Sequence, residues 1–233
     1  MFKPTVINRI EKGIDDIVSP IMIPIRKNRL VNTDFSIISN NCWGGIVYEW
    51  YGLKKNTPTA GVWFFADDYL RFISNLKYYL SLEIQIIPMQ KSKRFNDILA
   101  VQSTECPVGV IDDVEVIFLH YKDPTVAKEK WEKRKARVNY DNLIIKFSNM
   151  NGCTRDMLEK FDKMTFCDYS AKKIMFINKP DNTLKSSVYY PGYEEDEQIS
   201  NDTYFFNKYF DLDKFLNEGV IDPKMKKKIG SLL

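Results

Sequence analysis

The stretch Phe35-Ser36-Ile37-Ile38-Ser39-Asn40-Asn41-Cys42-Trp43-Gly44-Gly45 constrains the fold more than any other part of the chain. An apolar run breaks into small polar residues, followed by a Cys-Trp pair and two glycines. Ile46-Val47-Tyr48-Glu49-Trp50-Tyr51 then carries apolar residues at helical spacing before Gly52. The pattern predicts a strand, a tight loop and a helix N-terminus. Open α/β sheets bind ligands at such junctions, because backbone N–H groups and the positive end of the helix dipole converge there.

The rest of the chain continues the alternation. Apolar runs predict strands over 34–39, 60–65, 83–87, 106–111, 114–120, 142–148 and 173–178. Helical spacing predicts helices over 44–53, 67–80 and 125–138 and another beyond Thr154, with Asp67-Asp68 and Pro124 as start signals. Asp112-Asp113 reads as the turn of a hairpin. Residues 89–105 read as an exposed excursion, 180–200 as a polar loop, and the remainder as two or three short helices. Strands alternating with helices imply an α/β fold, a three-layer α/β/α arrangement with a mixed, mostly parallel sheet. The chain divides into an N-terminal helical or anchoring segment, 1–30, and a single α/β domain, 31–233.

Composition narrows the function. The 34 lysines and arginines are interleaved with 31 acids for a net charge of +3, which gives no argument for a nucleic-acid partner. Cys42, Cys106, Cys153 and Cys167 show neither a C-x-x-C pair nor regular spacing, which argues against a structural zinc site or a disulfide framework. With no secretory signal pattern visible, the reading is a reduced, cytoplasmic protein. In the first 30 residues, Ile7, Ile10, Ile14, Ile17 and Val18 share a helical face, and Arg26, Lys27 and Arg29 follow. Such a segment suits either peripheral membrane contact or packing on its own domain.

Several residues carry chemistry. His120 is the only histidine, so imidazole acid–base catalysis would rest on it, and a histidine-rich metal centre is disfavoured. No metal ligands are assigned. Cys42, at a helix N-terminus, is either a nucleophile of depressed pKa or a small buried hydrophobe. Asn40, Asn41 and the Gly44-Gly45 amides suit an anionic or hydroxyl-rich ligand. Trp131 and Arg134 are neighbours at i, i+3 on a basic helix and Arg137 extends the stripe, an arrangement suited to a diphosphate or to a solvated face. Asp112-Asp113, Asp211-Leu212-Asp213 and Asp67-Asp68 are weaker carboxylate motifs. Cys42, Asp67, His120 and Cys153 all follow predicted strands, so a parallel sheet is expected to gather them at one edge.

Ser39-Asn40-Asn41-Cys42-Trp43-Gly44-Gly45, Thr57-Pro58-Thr59-Ala60-Gly61-Val62, Pro107-Val108-Gly109, Phe118-Leu119-His120-Tyr121, and Trp131-Glu132-Lys133-Arg134 with Arg137 occur in order. Taken together, over about residues 33–215, they resemble a bacterial domain-of-unknown-function family labelled as exopolysaccharide or capsule biosynthesis protein. The resemblance implies a cytoplasmic α/β domain associated with surface-polysaccharide assembly, without an assigned reaction. It singles out Asn40, Asn41, Trp43, His120, Tyr121, Trp131, Arg134 and Arg137, and it places Asn151 where the family often has Asp. The expectation is a transferase, most simply a glycosyltransferase taking a nucleotide sugar. In that reading Arg134 and Arg137 face the diphosphate, Trp43 or Trp131 stacks on a ring, and His120 or an acid serves as base. An acyl- or pyruvyl-type glycan-modifying enzyme centred on Cys42 or His120, and a non-catalytic scaffold of the polysaccharide machinery, are the alternatives. No cofactor is assigned.

Overall fold

In a computed structural model, residues 19–102, 104–166, 169 and 171–222 are described. The apolar face over Ile7–Val18, Cys167 and the basic cluster at 224–228 lie outside them. In chain order the elements are α1 (19–27), β1 (Ser36–Ser39), α2 (Trp43–Trp50), α3 (Ala66–Ser74), α4 (Leu76–Ser81) and β2 (Gln85–Ile87). A 3-10 turn (Met89–Lys91), α5 (Phe95–Val101), β3 (Val108–Ile111), β4 (Val114–Ile117) and α6 (Pro124–Lys135) follow. The chain continues through β5 (Leu143–Ser148), α7 (Arg155–Lys163), β6 (Ala171–Ile177), β7 (Ser187–Tyr189) and α8 (Leu212–Glu218).

Four strands form a parallel sheet in the order β1-β5-β6-β7. Successive side chains of a strand point to opposite faces, and here both faces are covered. Ile37, Ile144, Ile174 and Phe176 meet Trp43, Val47 and Tyr48 of α2 and Phe215 of α8 on one side. On the other side, Ile38, Ile145, Phe147, Met175 and Ile177 meet α3, α4, α6 and α7 through Tyr69, Phe72, Leu76, Trp131 and Phe161. The chain therefore has the expected α/β fold, with helices on both faces of a parallel sheet.

The antiparallel strands are set apart. β2, β3 and β4 form a separate three-stranded sheet, with the hairpin turning at Asp112 (φ 54°) as the Asp-Asp pair suggests. The expected strand over 60–65 joins the two sheets and forms no ladder of its own. Trp63 exchanges both backbone hydrogen bonds with Ile117 of β4 (2.9 and 2.8 Å), and Phe64 N–H donates to the Asn40 carbonyl beyond β1 (3.0 Å). Adjacent residues thus serve opposite sides.

Other departures have local causes. The helix expected over 67–80 breaks at Asn75 (φ −140°), which lets α4 turn Leu76, Tyr79 and Leu80 into the core. Residues 89–105 contain α5, whose Ile98 is buried with Met89 beneath Trp63 and Phe65. The loop expected over 180–200 includes the short edge strand β7.

Gly109 of β3 lies between two core side chains. A Cβ there would collide with Ile84 Cδ1 and lie 2.8 Å from Phe118 Cε2. Gly109→Ala should destabilise the protein by about 1–3 kcal/mol through overpacking. The check is a lower urea midpoint with an unchanged m-value.

Candidate functional site

The chain leaves β1 and β5 in opposite directions. After β1 it enters α2, on the face with Ile37 and Ile144; after β5 it enters α7, on the face with Ile38 and Ile145. Because these two strands are adjacent, their C-terminal ends form a topological switch point, the place where open α/β sheets hold ligands.

A buried polar cluster fills this point. Lys146, in the apolar strand β5, and Asp202, in the segment after β7, are both completely buried and form an ion pair. Ser148 Oγ donates to the same carboxylate oxygen, Oδ2. Asn41 Oδ1 accepts from Lys146 Nζ (3.0 Å), while its Nδ2 donates to Asp202 Oδ1 (2.8 Å) and approaches Met150 Sδ (3.0 Å). Burial lowers the Lys146 pKa, against the attraction of Asp202. Trp43 and Phe176 wall the ammonium, with ring centroids 6.0 and 5.0 Å from Nζ. Asn40 Nδ2 donates to the Ser148 carbonyl (3.2 Å), but its buried Oδ1 has no hydrogen-bond partner among the described residues.

The first turn of α2 is occupied by the chain's own side chains. Trp43 N–H donates to Asn41 Oδ1 (3.1 Å) and Gly44 N–H to Ser39 Oγ (3.3 Å). A Cβ on Gly44 would come within 2.9 Å of Ile37 Cγ2, so close helix–strand packing requires that glycine. Gly45 leaves room for Ala60, 3.5 Å from where its Cβ would stand.

A second group gathers around Ala60. Its carbonyl accepts from Arg134 Nη1 (2.8 Å) and from the Tyr121 hydroxyl (3.2 Å), and Arg134 Nη1 also donates to Tyr121 Oη (2.7 Å). Tyr121 closes over Gly61 (φ 82°), with Cε2 3.2 Å from the position of a Cβ. Cys42 lies between the two groups, its Sγ 3.9 Å from the Val62 carbonyl. Burial, reinforced by Asp202, pushes the Cys42 thiol up to about 11. Of the two readings of Cys42, this direction fits the small hydrophobe better than the nucleophile, because the thiol is taken out of water beside a carboxylate.

The structure divides the residues singled out in the sequence. Asn40, Asn41 and Trp43 join the buried cluster; Gly45, Tyr121 and Arg134 join the outer group. His120, adjacent to Tyr121, is exposed on the turn after β4. Trp131 is only 1% exposed and packs on Phe72 and Phe118, so it is a core residue and not a stacking platform. Trp43 is fully buried and donates its indole N–H to the Phe206 carbonyl (3.0 Å), which likewise excludes it as a stacking surface in this conformation. Arg137 Nη2 donates to the Lys55 carbonyl (2.6 Å), bracing the loop before Thr57. Asp67 pairs with Arg94, and Cys153 is buried in the core. Asn151 (φ 56°) donates from Nδ2 to the Phe64 carbonyl (3.1 Å), a bond that an ionised Asp could not make. Sequence reasoning missed Lys146, Ser148 and Asp202. One signal for Lys146 was present, a lone charge in the apolar run Leu143-Ile144-Ile145-Lys146-Phe147.

Together the strand order and the polar cluster define an α/β domain with a buried polar cluster at the β1/β5 switch point. Residues 16–218 match the family described as a domain of unknown function, DUF1919, and the chain belongs to that family. It is also similar to an uncharacterised protein of Haemophilus influenzae, 29% identical over 175 residues that cover 75% of this chain and 77% of that protein.

Two outcomes test the site chemistry. Lys146→Met leaves Asp202 buried without its cation and should lower stability by about 3–5 kcal/mol, and adding Asp202→Leu should recover most of it. Urea denaturation of the single and double variants measures both effects. Alkylation of Cys42, followed by peptide mass spectrometry, should be slow at pH 7.5. It should rise about tenfold per pH unit towards the pKa of about 11, since only the thiolate attacks.

Proposed function

We propose that the protein is a transferase of surface-polysaccharide assembly, a glycosyltransferase that takes a nucleotide sugar at the outer group beside the first turn of α2. The observation that carries this reading is the mounting of Arg134. Its Nη1 is fixed on the Ala60 carbonyl and Tyr121 Oη, while Nε and Nη2 make no hydrogen bond to the described residues. A guanidinium pinned at one nitrogen is pre-organised to meet a diphosphate with the others. In transfer, the acceptor hydroxyl attacks the anomeric carbon, the nucleoside diphosphate leaves against Arg134, and His120, exposed beside Tyr121, takes the hydroxyl proton. Arg137 supports this site indirectly, through the Lys55 carbonyl.

The acyl- or pyruvyl-transfer alternative would use Cys42 or His120, and the raised pKa of Cys42 argues against a thiolate nucleophile at that residue. The scaffold alternative would use the N-terminal segment. Among the described residues no helix is long and apolar enough to cross a membrane. Ile23 packs at Gly52 and Arg26 stacks on Trp50, which docks α1 on the domain while Ile21 (74%) and Ile25 (48%) stay exposed. That exposure supports peripheral membrane contact through residues 1–30 of an otherwise cytoplasmic protein.

Binding of a panel of nucleotide sugars, followed by isothermal titration, tests the reading. Arg134→Ala should weaken the best ligand about tenfold or more, and Arg134→Lys should restore part of the loss, because Lys keeps the charge without the fork. Binding by the wild type with equal affinity in Arg134→Ala would remove Arg134 from the diphosphate site.

A further inference from the structure

We propose that the outward face of α1 is a docking surface for an anionic lipid bilayer, entered by Ile21 and Ile25 and held by the cations that follow α1 and α8. The observation that carries this is an inverted helix. A helix packed on its own domain turns apolar residues inward and charges to water. In α1 the guanidinium of Arg26 is turned inward instead, 3.2 Å from the centroid of the Trp50 ring, with Nη1 donating to Ser19 Oγ (2.8 Å), and the residue is only 6% exposed. Ile21 and Ile25, four residues apart and so on one face, are exposed to solvent together with Pro20 and Pro24. This orientation is fixed by packing. Ile23 Cγ2 fills the space that a Cβ on Gly52 would need, 2.5 Å away, and Leu30 is buried in the core beneath α2 and α8.

Binding of such a face to a bilayer grows with its apolar area and with attraction to anionic headgroups. The chain supplies that attraction from two places. Lys27 and Arg29 stand at the C-terminal end of α1. Asn217 of α8 accepts from the Val31 N–H (2.9 Å) and donates to the Arg29 carbonyl (2.9 Å), so α8 is fastened to the same pole. Asp222, the last described residue, is held against the start of α8 by its carbonyl on Asp211 N–H (2.9 Å) and its side chain on Lys214 (2.8 Å). Lys224, Lys226, Lys227 and Lys228 follow in the sequence, and at about 3.5 Å per residue Lys226 is within about 14 Å of Asp222. The acids of this pole, Asp213 and Asp222, are already met by Arg29, Tyr51 and Lys214. Outside the described residues, Ile7, Ile10, Ile14 and Ile17 precede Ile21 and Ile25 at the same three- and four-residue spacing. A second copy of the chain is the poorer occupant, since two isoleucines and two prolines fall well short of the roughly 800 Å² per partner of a stable interface. The inference rests on the peripheral contact proposed above, to which it adds the lipid charge and the residues that read it, and it is independent of Arg134.

Flotation of the full chain with vesicles of phosphatidylcholine and phosphatidylglycerol in equal parts, against phosphatidylcholine alone, tests this. The mixed vesicles should bind the protein about tenfold or more tightly than the neutral ones. Potassium chloride raised from about 0.1 to about 1 M shortens the screening length from about 10 to about 3 Å and should remove most of that difference. Ile21→Ser/Ile25→Ser should weaken binding to the mixed vesicles about tenfold or more at an unchanged urea midpoint, because both side chains are exposed in the folded chain. Lys224→Gln/Lys226→Gln/Lys227→Gln/Lys228→Gln, which touches no described residue, should weaken it to a similar extent. Equal binding of both vesicle types would overturn the anionic requirement and leave peripheral contact standing, whereas binding to neither would overturn both. Full binding by the isoleucine variant would remove α1 from the surface. A concentration-dependent dimer abolished by the same variant, without vesicle binding, would assign the face to a second copy.

Discussion

An ammonium group removed from water costs several kcal/mol unless a charge and hydrogen bonds meet it, and Lys146 places one inside an apolar layer. The surrounding arrangement follows from that demand. Asp202 must be delivered to the strand end, so the chain between β7 and Asp202 folds back over the sheet without forming a regular element. Asn41 must turn inward, which fixes the loop after β1 and brings its Oδ1 under the Trp43 amide. Ser148 ends β5 on the same carboxylate. One charge on a central strand thus ties β1, β5 and the C-terminal third of the chain together.

A second constraint is the joining of the two sheets. Trp63 and Phe64 are adjacent, and extended backbone turns their polar groups to opposite sides, towards Ile117 and Asn40. The same segment supplies the Ala60 carbonyl that Arg134 and Tyr121 hold. The outer group therefore sits where the sheets meet, beside the buried cluster and separate from it. Cys42 lies between them, and its surroundings explain a protonated thiol: burial first, and the Asp202 carboxylate second.

Two families of charged contacts differ in what they accomplish. Asp68 is completely buried and is met by Arg71, Lys93 and Arg94, which clamps the turn before α5 to α3. Its partners come from exposed or half-exposed positions, so it closes a seam between elements. The Lys146–Asp202 pair instead has both members buried at the switch point, walled by Trp43 and Phe176, and is the one charge pair placed at the end of the parallel strands among those described.

The sequence by itself determined the alternation of elements and hence the α/β class. Apolar runs marked β1, β5 and β6, Pro124 marked the start of α6, and the break at Asn40-Asn41 before Gly44-Gly45 marked the turn from β1 into α2. These are local signals, set by periodicity, capping and side-chain size. The sequence also named Asn40, Asn41, Tyr121 and Arg134, though not their division into an inner and an outer group. Tertiary structure alone decided that Trp131 is core, that the 60–65 run serves two sheets, and that Asp202 is the partner of Lys146. A partner 56 residues away in a polar loop leaves no periodic trace. Its role arises only when the chain is folded back and the desolvated ammonium selects the carboxylate that can reach it.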